Sequence, residues 1–198
     1  MRLANEEIRQ RIIEAARGEF LDKGFEKASI RTITARAKTS KSNLYNYFND
    51  KDDLFSAVLE PVTTKIRTGL ALAKQYNVPK EAGDYTLSSQ QFVIGVISKF
   101  IAEHADDVKL LLFSAQGSSL AGFKYEVLEL FTDNMVEWTR SIHTRESVSR
   151  LFVRTVCSFY LNMIEQLFLV GAPADMPQFM KEISVFIYSG WKSVFVEE

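Results

Sequence analysis

The chain has 198 residues, with 24 Lys and Arg against 25 Asp and Glu and a hydrophobic share of 46%, which is enough to bury the core of one large or two small domains. One cysteine excludes an intramolecular disulfide, and the charged opening MRLANEEIRQR leads to the expectation of no secretory signal. The near-neutral total hides an asymmetry: residues 1–50 carry ten Lys/Arg and seven Asp/Glu, a net +3, which leaves −4 for the remainder, so the basic end is the candidate nucleic-acid end.

Asn5, Glu6 and Glu7 open a first helix with a capping side chain and acids at the positive end of the dipole. Ile8, Ile12, Ala16 and Phe20 form one stripe, Gly24 ends the helix, and Phe25 is placed to fold back on it. Behind Ser29, a good N-cap, Ile30, Ile33 and Ala37 recur at helical spacing. Lys38-Thr39-Ser40 supplies a turn and a second cap. Leu44 and Phe48 then lie four apart, opposite a polar face of Lys41, Ser42, Tyr45, Asn46 and Asn49. This is a helix-turn-helix pattern, and from Lys27 through Asn49 it holds five basic residues and no acidic one. The leading turn of the second helix offers Lys41, Ser42 and Asn43, donors that suit phosphates or base edges in a major groove. Arg31, Ser40, Asn46 and the hydroxyl tips of Tyr45 and Tyr47 complete the candidate DNA-binding set.

The pattern Ile12-x-x-Ala15-Ala16-x-x-x-Phe20-x-x-x-Gly24-Phe25, then Ser29-Ile30-x-x-Ile33, then Ser40-Lys41-x-x-Leu44-Tyr45-x-Tyr47-Phe48-x-x-Lys51-x-x-Leu54, resembles the DNA-binding domain of the tetracycline-repressor (TetR/AcrR) family. The resemblance covers about the first quarter of the chain. It implies an all-helical homodimeric transcriptional regulator, usually a repressor, whose larger C-terminal domain binds a small effector and forms the dimer. It also implies phosphate contacts for Lys51, Tyr45 and Tyr47. The family usually has Gly where Lys38 stands, a small hydrophobe at Thr39, Gly at Ser42 and an acid at Thr32. Lys38 is therefore expected at a positive φ, a strain of roughly 1–2 kcal/mol for a side-chain-bearing residue.

Asp50 caps a helix beginning at Lys51, with Leu54, Val58, Leu59, Ile66 and Leu70 on its apolar face. Pro61 interrupts it, a kink or a bend around the core being equally open. Asn77 to Thr86 reads as a loop. Three amphipathic helices follow: one capped by Ser88 or Ser89 and carrying Phe92, Val96, Ile97, Phe100 and Ile101; a short one over Val108 to Ala115, preceded by Asp106 and Asp107; and one from about Leu120 to Ser141. Phe100, Phe113, Phe131, Met135, Trp138 and Phe152 are the candidate walls of an apolar effector cavity, because nineteen of the chain's twenty-four aromatics lie beyond residue 50. His104 stands beside Glu103, Asp106 and Asp107, but without a paired-ligand motif loop solvation outweighs a metal site. Two helices, about Arg145 to Leu169 and Pro177 to Val196, close the chain. Their apolar bands are wide enough to pack inward and still face a partner, with Phe159, Met163, Phe186, Ile187 and Trp191 as the candidate centre of a dimer interface. Cys157 lies within the first band as a buried, inert thiol.

The expectation is an all-α protein of about nine helices: a three-helix DNA-binding domain over residues 1–50 and a helical effector-binding and dimerisation domain over 51–198. It would act in the cytoplasm as a DNA-binding regulator, without enzymatic activity, cofactor, metal or membrane span. Its partners would be an inverted-repeat operator, a second copy of itself and a small apolar effector. The competing readings are a regulator controlled by a protein partner alone and a helical ligand carrier or enzyme. For the latter there is no Ser-His-Asp order, phosphate loop or metal spacing to assign.

Overall fold

The computed structural model describes residues 2–76, 86–141, 148–170 and 176–194, and all regular elements among them are helical. Helix α1 spans Arg2–Lys27 with a break at Gly24, whose φ of 71° and ψ of 171° lie where only glycine is unstrained. Ile12, Ala16 and Phe20 of its stripe are fully buried. Past the break Phe25 turns back, and its ring stacks on Phe20 at 6.2 Å, as the sequence predicts. α2 is Ile30–Arg36, α3 is Lys41–Leu44 and α4 is Lys51–Tyr76. Leu54, Phe55, Val58, Leu59 and Val62 of α4 are buried, with Phe55 edge-on to Phe20 at 4.8 Å and tilted against Phe25 at 5.1 Å. Burial of each such side chain contributes about 1.5–3 kcal/mol. α4 continues through Pro61, and the hydroxyl of Thr63 donates to the Glu60 carbonyl at 3.1 Å.

α5 is Leu87–Glu103 and α6 is Ala105–Lys109, which widens into a π turn over Leu110–Ser114; a 3-10 turn, Ser119–Gly122, leads into α7, Phe123–Ser141. α8 is Arg150–Val170 and α9 is Met176–Lys192. Asp106 and Asp107 do not precede α6 but form its first turn, where they favour the helix dipole. Asp107 is buried and meets Arg17 at 2.8 Å. The expected Asn77–Thr86 loop and the start of the Arg145–Leu169 helix fall largely outside the described residues.

Two compact units result, Met1–Lys65 with His104–Lys124 and Ile66–Glu103 with Tyr125–Glu198. The first therefore extends beyond a boundary at residue 50, because α1 is covered by the Leu110–Ser114 turn as well as by α2, with Leu110 and Leu111 buried. Gly117, at φ 80°, lets the chain pass the Glu26 side chain, which would lie 3.1 Å from any Cβ there.

The second unit is built on Ile94, Leu128, Val136, Trp138, Val153, Cys157, Ile187 and Trp191. Trp138 and Trp191 meet edge to face at 5.1 Å, and the Trp191 indole N–H donates to the Tyr160 hydroxyl at 2.7 Å. Burial pushes the Cys157 thiol up to about 11 and the Tyr160 phenol up to about 12. Arg67 grips Glu126 of α7 through two hydrogen bonds, 2.6 and 2.9 Å, and the Asn134 amide donates to the Leu70 carbonyl at 2.7 Å.

Candidate nucleic-acid interface

The helix-turn-helix is assembled by caps. Ser29 caps α2, its hydroxyl accepting from the Thr32 N–H at 3.5 Å. Buried Glu19 holds the other side of this corner, accepting from the Ser29 N–H at 3.2 Å and lying 3.5 Å from Arg36. Arg36 also donates to Asp22 at 3.1 Å, so this cation serves the scaffold. At the end of α2 the Lys38 N–H donates to Ala35 O at 3.2 Å and the Thr39 N–H to Thr34 O at 3.0 Å. That pair of bonds is a Schellman motif, with Lys38 at the left-handed position that glycine usually occupies. Lys38 has the expected positive φ, 51°.

Ser40 then caps α3, accepting from the Asn43 N–H at 3.1 Å. Leu44 and Phe48 are buried as their spacing predicts. The helix is shorter than that spacing suggests: past Leu44 the chain tightens, with Asn46 N–H to Asn43 O at 3.2 Å and Tyr47 N–H to Leu44 O at 3.0 Å, the three-residue closure common at helix ends. Arg9 of α1 lies over the Phe48 ring at 5.6 Å, a contact the α1 stripe alone does not reveal.

Of the expected DNA-binding residues, Arg31, Ser40, Lys41, Ser42, Tyr45 and Asn46 are exposed. Lys41 reaches over the Tyr45 ring at 5.8 Å, so these two present one cationic and hydroxyl-tipped surface. Asn43 is half-buried. Its amide N–H donates to the Thr39 hydroxyl at 2.8 Å and its carbonyl lies 3.5 Å from the Asn46 amide. Tyr47 is also half-buried, its hydroxyl 3.4 Å from Asn5 Oδ1.

Lys51 is half-buried: its amino group donates to Phe25 O at 2.8 Å and Glu26 O at 3.1 Å, reaches Ala28 O at 3.5 Å, and lies 4.5 Å over the Phe25 ring. The carbonyls at the end of α1 hold the amino group whose charge the family resemblance assigns to a phosphate.

The dimer candidates divide. Phe159 and Phe186 are 45% and 64% exposed and touch one another at 5.9 Å between centroids, and Met163 is half-buried. Ile187 and Trp191 are instead buried in the core of their own protomer, because α9 turns that side of its band toward α5 and α8. The effector candidates are spread over both units. Phe131, Met135 and Trp138 pack in the second unit's core, Phe152 is 46% exposed and stands 6.1 Å from Trp191, Phe100 is half-buried on α5, and Phe113 lies in the first unit. The second unit does hold an open groove of about 190 Å³ lined by Gln91, Ile94, Gly95, Pro177, Met180, Lys181 and Ser184, smaller than the roughly 300–1,000 Å³ of a typical ligand site. His104 is 3.1 Å from the Lys65 amino group, a cationic neighbour unsuited to a metal. Among the described residues no cluster of three or more metal-ligating side chains occurs and no helix is long and apolar enough to cross a membrane.

Two capped helices joined by a Schellman turn, the second presenting Lys41, Ser42, Tyr45 and Asn46 outward, define a protein of the helix-turn-helix class. Residues 12–58 match the family model for bacterial regulatory proteins of the tetR family. The chain is 36% identical over 66 residues to the HTH-type transcriptional repressor Rv3405c of Mycobacterium tuberculosis, covering 33% of this chain and 35% of that one. It is 27% identical over 116 residues to the HTH-type transcriptional repressor DhaR of a Mycobacterium species, covering 54% and 59%. The matches thus span a third to somewhat over half of those relatives' length. In fold the likeness extends over nearly the whole chain: NalD, the secondary repressor of the MexAB-OprM multidrug efflux pump in Pseudomonas aeruginosa, superposes with a TM-score of 0.69 at 15% identity over 98% of this chain and all of that one. FadR of Bacillus subtilis, solved with stearoyl-CoA, gives 0.65 at 14% identity over 91% and 98%. Residues 12–58 thus match the tetR-family model, and the chain as a whole shares the fold of NalD and FadR.

Proposed function

We propose that the protein is a homodimeric, sequence-specific DNA-binding transcriptional regulator, a repressor released by a small apolar effector. The exposed recognition surface, capped at Ser40 and free of acidic residues from Lys27 to Asn49, carries this reading. Lys41, Arg31 and the Tyr45 hydroxyl would meet the phosphate backbone, while Ser42 and Asn46 would meet base edges. A two-fold dimer built on Phe159, Met163 and Phe186 would present two such surfaces to an inverted repeat. Support for an effector comes from the second unit's aromatic core and from the shared fold with FadR in its stearoyl-CoA complex. Trp138 and Trp191 meet in that core at 5.1 Å, so a ligand bound beside them should change tryptophan emission. Selection of duplexes from a random pool tests the DNA reading: an enriched inverted repeat supports it, and no enrichment over the starting pool overturns it.

A further inference from the structure

Three polar side chains form a chain of bonds from the turn between α2 and α3 to the exposed surface. The Asn43 amide N–H donates to the Thr39 hydroxyl at 2.8 Å, and Asn43 Oδ1 lies 3.5 Å from the Asn46 amide nitrogen. Thr39 and Asn43 are half-buried and Asn46 is exposed. The inner end is anchored by backbone: the Thr39 N–H donates to Thr34 O at 3.0 Å, and the Asn43 N–H donates to the Ser40 hydroxyl at 3.1 Å. The outer end follows from the tightening past Leu44, where the Asn46 N–H donates to Asn43 O at 3.2 Å. In such a three-residue closure side chains at i and i+3 eclipse, which sets the two amides side by side.

A primary amide carries two N–H donors and one oxygen acceptor. On Asn43 a donor is taken by Thr39 and the oxygen faces Asn46, so this amide is spent within the protein. On Asn46 one N–H turns toward Asn43, which leaves the other N–H and the oxygen, a donor and an acceptor side by side. In the major groove adenine presents the complement, an N6 donor beside an N7 acceptor; guanine offers two acceptors, cytosine one donor, and thymine an acceptor and a methyl group. We propose that Asn46 is the specificity-determining residue for an adenine in each half of an inverted-repeat operator, with Thr39 and Asn43 as positioning residues that hold its amide. The proposal rests on the DNA-binding function argued above. Ordering the amide before DNA arrives lowers the entropy cost of the two-bond contact.

The test is selection from a random duplex pool by the full-length protein, run in parallel for the wild type and the variants, with the enriched duplexes sequenced. The wild type should favour an A·T pair at one position of each half-site by at least about fivefold, and Asn46→Ala should cut that preference to less than about twofold while the other positions keep theirs. Thr39→Val removes the acceptor at nearly constant shape and should relax the same position, as should Asn43→Ala. Thr39→Ser keeps the hydroxyl and should retain the preference. A merely structural role would weaken all positions together. If Asn46→Ala relaxes a G·C pair, or no pair, the adenine assignment is overturned. Equal preferences for Thr39→Val and Thr39→Ser would overturn the positioning roles, and so would wild-type preference in Asn43→Ala, which decides them if Thr39→Val does not fold. Failure of the wild type to enrich any duplex would instead overturn the DNA-binding reading.

Discussion

Replacing Lys38 by glycine separates stability from function at the turn. Lys38 sits at φ 51°, where a side chain costs about 1–2 kcal/mol, and glycine would recover that strain while giving up about 0.5–1 kcal/mol of unfolded-chain entropy. The neighbouring bonds, Lys38 N–H to Ala35 O and Thr39 N–H to Thr34 O, involve backbone alone and survive the change. Lys38→Gly should therefore be more stable by about 0.5–1 kcal/mol, a rise in melting temperature of about 1–4 °C. The same change removes an exposed cation two residues before the cap of α3. DNA affinity should fall, and the salt slope should become shallower by up to about one unit per reading head. Differential scanning fluorimetry and fluorescence anisotropy between about 50 and 200 mM salt read the two effects. A lower melting temperature together with an unchanged salt slope would refute the reasoning, since it would mean that the lysine is neither strained nor near the phosphates.

Phe159→Glu with Phe186→Glu should yield a folded monomer by sedimentation at micromolar concentration, because both rings are exposed on the protomer; a double variant that stays dimeric would move the interface elsewhere. Trp191→Ala, by contrast, should destabilise the second unit by about 3–5 kcal/mol through cavity formation and the loss of the Tyr160 hydrogen bond, as measured by denaturant titration. Thr39→Val deprives the Asn43 amide of its acceptor. It should lower discrimination between the selected duplex and single-base variants by about 1 kcal/mol, with random-duplex affinity unchanged. Cys157 and Tyr160 are held neutral up to about 11 and about 12. Their folded values exceed the unfolded ones, so the stability they contribute is complete below pH ~9 and is lost as pH rises through about 9–12. Alkaline melting curves should show that loss, and Cys157 should resist thiol reagents at pH ~8 until the protein unfolds.

Local rules made the helix-turn-helix legible. Ser29, Gly24, Ser40 and Asp50 act through bonds spanning a few residues, so their spacing reveals them, and the left-handed Lys38 follows from a lysine standing where a turn requires glycine. What stayed hidden depends on partners distant in sequence. The Lys51 amino group meets the α1 carbonyls some twenty-five residues earlier, a contact that no local spacing reveals. On α9, periodicity gives the width of the apolar band but not which edge turns inward. Phe186 therefore remained outside while Ile187 and Trp191 joined the core. Effector walls were least legible, because a dense aromatic helix fills a core as readily as it lines a cavity, and Phe131, Met135 and Trp138 fill one.

The central claim is that the surface of Lys41, Ser42, Tyr45 and Asn46 reads duplex DNA. Binding of the duplex selected by the wild type, compared for wild type and Ser42→Ala/Asn46→Ala, tests it most directly. The account predicts a loss of about 1–3 kcal/mol on that duplex for each base contact removed, with binding to random DNA and the melting temperature retained. Equal affinity of both proteins for the selected duplex would contradict it.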